Sequence, residues 1–213
     1  MKTFTFTSWT KTRIVVLAGA CALLAGAATE ALFYLYAKIP VQGIPKGWSV
    51  LDGDVDQWDS ADGKIQAHST TGETILASTR EYRNFTLAAR VSSTNREASL
   101  AFRMQDGDNG YLVLFGPPGT PCPWNESGFI ALVRKTGGQE ITLKSYQGRV
   151  FSALHPSSRI AVNAQGPRLT VRLNDVTVFR VTDTNYHSGF IGLRIFGTGD
   201  YPCDATFSEI TFP

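Results

Sequence analysis

Apolar and polar positions alternate most plainly between Glu81 and Phe115. Phe85, Leu87, Ala89 and Val91 fall on one face of a strand, and Thr86, Arg90 and Ser92 mostly on the other. Leu100, Phe102 and Met104 alternate in the same way with Ser99, Ala101, Arg103 and Gln105. A period of two marks a half-buried strand, because successive side chains leave the backbone on opposite sides. Tyr111 to Phe115 is apolar throughout, which predicts a strand buried on both faces. Between the last two strands, Asp106-Gly107-Asp108-Asn109-Gly110 predicts a turn, since these residue types tolerate the backbone angles turns need.

The same grammar governs the rest of the body. Trp48 to Leu51, Lys64 to His68 and Thr74 to Thr79 are strands ahead of this stretch. After it, Phe129 to Lys135 and Glu140 to Tyr146 flank Thr136-Gly137-Gly138-Gln139, a hairpin. Leu169 to Leu173 and Val176 to Val181 flank Asn174-Asp175, a second one. Arg159 to Ala164, Gly189 to Phe196 and Ala205 to Phe212 bring the total to about twelve strands. Residues 116–128 hold four prolines and three glycines and form a long loop carrying Trp124. No amphipathic helix is predicted after residue 40. Many short strands with frequent turn signals predict an all-β, two-sheet sandwich, of jelly-roll rather than seven-stranded immunoglobulin type.

Ahead of the sandwich, residues 14–37 contain one charge, Glu30, in 24 residues. As a helix this stretch would be about 36 Å long, enough to cross a bilayer. Lys2, Lys11 and Arg13 precede it and keep residues 1–13 cytoplasmic, while Tyr34 and Tyr36 suit the outer interface. The reading is a single-pass transmembrane signal anchor, a linker at 38–46, and a sandwich domain at 47–213 outside the cytoplasm. The alternative is a signal peptide cleaved after Ala25-Gly26-Ala27, leaving a secreted or periplasmic domain. A lipoprotein cysteine at Cys21 is a third reading, with one residue too many after Leu17 for the usual spacing.

Charge excludes one class of partner. The formal net charge is +2; without the three cations of residues 1–13, 17 basic residues face 18 acidic ones. A near-neutral body with no basic run carries no nucleic-acid footprint. Of the cysteines, Cys122 and Cys203 lie in two proline-containing loops, and an oxidising compartment would join them in a disulfide.

Five elements carry a family resemblance: Trp58 with Asp62-Gly63-Lys64-Ile65; Tyr82-Arg83-Asn84-Phe85-Thr86-Leu87; Phe102-Arg103 with Asp106 and Asp108-Asn109-Gly110-Tyr111; Leu173-Asn174-Asp175 with Val178, Tyr186 and Gly189-Phe190-Ile191-Gly192-Leu193; and Phe207-Ser208-Glu209-Ile210. Together they resemble the concanavalin A-like (laminin G-like) sandwich in the form of the 3-keto-disaccharide hydrolase domain, over roughly residues 48–213. The resemblance implies a jelly roll, an extracytoplasmic setting, and association with glycans; some relatives are glycoside hydrolases. The Glu-x-Asp-x-x-Glu strand of related laminarinase-type glycosidases does not occur here: Glu140 and Glu209 lack acidic neighbours at that spacing.

Candidate chemistry is therefore spread over loops. Asp106 and Asp108, with Glu126 and Asp200, are the carboxylates that could serve as a glycosidase pair. Trp124 and Tyr201, beside the two cysteines, offer flat faces for sugar rings, and Asn125, Glu126 and Asp200 could bind hydroxyls. Arg90, Arg103, Arg172 and Arg194 sit on the less apolar strand faces, where a shared groove would grip carboxylated or sulfated glycans. Asp52, Asp54 and Asp56 alternate as in a calcium loop but lack its glycine and closing glutamate, so calcium is the one cofactor considered. His68, His155 and His187 have no metal-ligand spacing, and neither a nucleophile elbow nor a phosphate loop is present. The expectation is a membrane-anchored module that binds carbohydrate or another surface ligand without catalysis. The alternatives are a glycoside-hydrolase-like enzyme using loop carboxylates and a structural module of a cell-surface assembly.

Overall fold

In the computed structural model, which describes residues 43–93, 98–116, 128–147 and 157–213, the alternating segments pair as antiparallel strands. The first seven are β1 (Trp48–Asp52), β2 (Trp58–Ala61), β3 (Lys64–Ser69), β4 (Gly72–Tyr82), β5 (Phe85–Ser93), β6 (Ala98–Asp106) and β7 (Asn109–Gly116). The next seven are β8 (Phe129–Thr136), β9 (Gln139–Gln147), β10 (Ser157–Gln165), β11 (Arg168–Leu173), β12 (Val176–Thr182), β13 (Gly189–Gly197) and β14 (Cys203–Thr211). They form two seven-stranded sheets, ordered β1-β4-β13-β6-β7-β8-β9 and β12-β11-β10-β5-β14-β3-β2. The chain is an all-β, two-sheet sandwich.

The core follows from the pattern. Leu87 and Val91 of the second sheet and Leu100, Phe102, Val113 and Leu132 of the first belong to one buried apolar cluster between the layers. Burying each such side chain contributes about 1.5–3 kcal/mol. Tyr111 to Phe115 is buried on both faces, as its composition predicts. That second burial belongs to a smaller apolar cluster on the outer face of the first sheet, containing Ile75, Ala101, Leu112, Leu114, Ala131 and Val133.

Two details depart from the sequence reading. The strand it lacks is β2, whose Trp58 is buried and donates its indole N–H to Thr74 Oγ1 at 2.7 Å. Cys203 is not in a loop but opens β14 as a buried, free thiol with its Sγ 3.8 Å from Ser93 Oγ. The bridge to Cys122 is therefore not supported: the Cys203 side chain points into the core, and Cys122 lies outside the described residues. The apolar stretch 14–37 also lies outside them, and among the described residues no helix is long and apolar enough to cross a membrane.

Candidate functional site

Strand register builds a polar cluster on the outer face of the first sheet. Arg194 of β13 is paired with Ile75 of β4 on one side and Ser99 of β6 on the other. Ser99 faces Leu114 of β7, which faces Ala131 of β8. Directly paired residues of antiparallel strands share a face, so Arg194 and Ser99 lie in one row with the outer apolar cluster. Arg194 donates from Nε to Glu73 Oε2 at 2.5 Å and from Nη2 to Glu140 Oε1 at 3.1 Å. Lys135 donates to the other oxygen of Glu73 and, at 2.7 Å, to the carbonyl of Gly107. Its Nζ also lies 3.6 Å from Asp108 Oδ1. The Arg194 guanidinium sits 5.3 Å from the ring centre of Phe196.

These charges are sequestered: the side chains of Arg194, Lys135 and Glu73 are 3%, 8% and 12% exposed. Burying an ion costs several kcal/mol, which close pairing with hydrogen bonding offsets. Both oxygens of Glu73 are held by cations, and Glu140 is held by Arg194. Ser99 differs. Its hydroxyl is fully buried and has no hydrogen-bond partner among the described residues. A buried hydroxyl left unpaired costs about 1–3 kcal/mol.

A second network closes the end of the sandwich. Tyr111 donates its hydroxyl to Asp183 Oδ1 at 2.6 Å and accepts the Tyr186 N–H at 3.2 Å. Arg134 donates to Asp183 Oδ2 at 2.7 Å, and the Asn185 N–H to Oδ1 at 2.9 Å. Burial would raise the Asp183 carboxyl, but the bonds from Tyr111, Asn185 and Arg134 outweigh it and hold the group below the usual carboxylate range. Burial, then the bond to Asp183, pushes the Tyr111 phenol up. This network ties strands to a loop, with Arg134 Nε left buried and without a partner among the described residues.

The residues nominated from sequence are dispersed. Asp106 caps its own turn, accepting the Asp108 N–H at 2.8 Å and the Asn109 amide at 2.9 Å. Asp108 lies at the margin of the Lys135 cluster. Asp200 and Tyr201 occupy the turn between β13 and β14, closed by mutual backbone bonds of Thr198 and Tyr201 at 3.1 and 2.7 Å; the Tyr201 side chain is exposed. Trp124, Asn125 and Glu126, which complete that proposed sugar site, lie outside the described residues, as does His155.

The expected four-arginine groove is not formed. Arg103 is fully buried and donates to the carbonyls of Tyr186, Arg83 and Gly166 at 2.9, 2.8 and 2.7 Å. Arg194 lies on the first sheet, whereas Arg90 and Arg172 lie on the second. The two pairs therefore belong to different sheets. Among the described residues no three His, Cys, Asp or Glu side chains converge as a metal would require, the Asp52 to Asp56 loop included. His68 Nδ1 pairs with Asp204 Oδ1 at 2.5 Å on the exposed face of the second sheet.

Glu73, Ser99, Lys135 and Glu140 are the residues the sequence did not single out. Lys135 ends an otherwise apolar strand, Phe129 to Val133 with Arg134, and Arg194 interrupts Gly189 to Phe196. A lone cation inside an apolar strand was the available signal, because burial forces it to find a carboxylate.

Residues 45–212 match a family described as the 3-keto-alpha-glucoside-1,2-lyase-like domain. No curated protein matches the chain. Solved structures with the same fold include carbohydrate-binding module CBM66 from Bacillus subtilis, at 19% identity and TM-score 0.61, covering 78% of this chain and 94% of that one. A putative glycosyl hydrolase from Parabacteroides distasonis has 16% identity and TM-score 0.56, with 78% and 98% covered. The β-glucanase of Bacillus licheniformis has 14% identity and TM-score 0.58, with 79% and 93% covered. These place the sandwich among concanavalin A-like jelly rolls.

Proposed function

The chain belongs to the 3-keto-alpha-glucoside-1,2-lyase-like family, and from that premise we propose that it is a carbohydrate-binding module without catalysis of its own. In this reading the sugar contacts the outer face of the first sheet, and the stretch 14–37 anchors the module to a membrane with the sandwich outside the cytoplasm. The observation that carries the reading is the Ser99 hydroxyl, buried and unpaired beside Arg194. Because Ser99 is fully buried, a sugar hydroxyl supplies the missing bond only when a covering side chain gives way. Arg194 beside Ser99, with Glu73 and Glu140 on that guanidinium, provides fixed polar groups, and the half-buried ring of Phe196 provides an apolar face for a sugar ring. Carbohydrate binding is also what the name of CBM66 states for a protein of this fold.

The non-catalytic part rests on the carboxylates. A glycosidase needs one carboxyl that donates a proton and a second that attacks or activates water. Glu73 has both oxygens on cations and Glu140 has Oε1 on Arg194, so Glu73 presents no oxygen for that work and Glu140 is held as a charged carboxylate. The alternative, a glycoside-hydrolase-like enzyme, is favoured by the family itself and would draw its carboxylates from the loops, Glu126 and Asp200 among them.

The test is glycan-array binding by the full chain, with glycoside turnover measured in parallel. Ser99→Ala removes an unpaired hydroxyl, so it leaves stability unchanged or slightly raised. The expected result is wild-type binding to neutral glycans that falls about tenfold in Ser99→Ala, the size of one lost hydrogen bond. Turnover of a glycoside moves the assignment to the enzyme, and no binding with no turnover moves it to a structural module.

A further inference from the structure

The outer face of the second sheet divides by charge. Near β2 and β3 it carries Asp59, His68 and Asp204, which border a cleft of about 340 Å³. Across β5, β10, β11 and β12 it carries arginines. Arg90 and Arg159 are directly paired across β5 and β10, and Arg172 is paired with Ala161 of β10 and Thr177 of β12. Arg180 faces Thr170, and Arg168 faces Gln165 and Thr182. These five side chains all project from the solvent side of the sheet, since Leu87, Ile160, Val162, Leu169 and Val171 fill the alternating positions inside.

Only two carboxylates answer them among the described residues. Glu209 accepts from Arg90 Nε at 2.9 Å, and Asp175 from Arg159 Nη1 at 2.9 Å. Arg168, Arg172 and Arg180 form no ion pair among the described residues. Like charges directly opposite on neighbouring strands destabilise a sheet, and Arg90 against Arg159 is such a pair. A domain whose charges otherwise nearly balance thus concentrates an excess of three positive charges on the β5, β10, β11 and β12 part of this face.

The same face has a depression. Ala88 and Ala161 are paired at its floor, and their short side chains sit between longer neighbours in the adjoining rows. The result is a trough of about 400 Å³ bounded by Arg159, Arg172, Asp175, Asn163, Thr86 and Thr211, with Asp175 held on Arg159. Two arginines therefore stand over a floor of methyl groups, Arg159 paired with Asp175 and Arg172 without an ion pair among the described residues, with an amide and two hydroxyls at the rim.

We propose that this trough is a second binding surface, which takes a linear polyanionic glycan through its carboxylate or sulfate groups. A guanidinium fork matches the two oxygens of either group and binds them bidentately. The rim of Asn163, Thr86 and Thr211 suits a hydroxyl-rich chain, and the alanine floor admits a ring. Among the described residues no aromatic ring lines the trough, so none of them forms a platform for stacking nucleobases. The surface is separate from the Ser99 row, which lies on the other sheet.

The test uses the full chain with four probes: dextran sulfate, polygalacturonate, neutral dextran and single-stranded DNA. Binding is read by calorimetry at low and moderate salt, with thermal unfolding as a control for folding. The expected result is binding to dextran sulfate, polygalacturonate or both, at least tenfold tighter than to dextran and to DNA, and weakened by salt. Arg172→Gln combined with Arg180→Gln then lowers polyanion affinity at least tenfold with the unfolding midpoint held. Arg172→Lys alone lowers it several-fold, because an ammonium keeps the charge but loses the fork. Binding to one polyanion and not the other names the anionic group. Equal affinity for DNA, unchanged affinity in the double variant, or no polyanion binding overturns the proposal. Because dextran sulfate is compared with its own uncharged backbone, failure of the sugar-binding reading for the first sheet does not alter this result.

Discussion

Arg103 shows what one side chain can hold. It sits at φ 49° in a β-bulge of β6, and its fork reaches three carbonyls from three separate segments. Burial pulls its pKa down from the ordinary arginine value, the signature of a cation taken out of water. Arg103→Met would leave three carbonyls without their donors, so a loss of about 3–5 kcal/mol is expected in urea unfolding. Arg103→Lys should recover only part, since one ammonium cannot span the fork; a loss below about 1 kcal/mol for Met would remove the clamp role. Cys203 makes a second point at this scale. Burial pushes its thiol up, away from the reactive thiolate. Peptide mapping after iodoacetamide at pH 8 should find Cys203 unlabelled in the native protein and labelled once it is unfolded; native labelling would mean the thiol is reached without unfolding.

Strands were legible because their signal is local. The alternation at Phe85 to Ser92 and the apolar run at Tyr111 to Phe115 can each be read within a few residues, and both fold as they read. Trp58 was not legible as a strand, because β2 is short and its indole N–H finds its acceptor at Thr74, 16 positions away. The polar cluster was hidden for the same reason at longer range: Glu73 meets Lys135 across 62 positions and Arg194 across 121. A sequence read in windows sees three isolated charges there. The Asp183 network is the analogous join between elements, linking β7 and β8 to the loop after β12. Its carboxyl is depressed in the folded state, so its contribution is complete above the unfolded value near pH 3.9 and is lost as pH falls below it. Urea midpoints between pH 6 and 2.5 should therefore fall steeply at the acid end. Asp183→Asn should lower the neutral plateau and flatten that fall, while an identical acid slope in the variant would assign the fall to other carboxylates.

For the whole molecule, the two outer faces carry different chemistry. The first sheet hides a neutralised ion cluster beside an orphan hydroxyl, and the second displays arginines in excess of its carboxylates beside an alanine floor. Neither was legible from composition, because a net charge averages over faces that only the pairing order separates. That pairing order has a temporal side as well. In the second sheet β14 lies between β5 and β3, and the β2–β3 hairpin joins the remaining strands of that sheet only through it. A growing chain cannot close this sheet until residues 203–211 have been made. Removing residues 203–213 should thus abolish the cooperative unfolding transition, not merely shift it; a truncated chain that still melts in one sharp step would show that the sheet closes without β14. Until that strand emerges from the ribosome, the nascent polypeptide stays open along its middle, exposed to chaperones and still able to be threaded through a narrow pore.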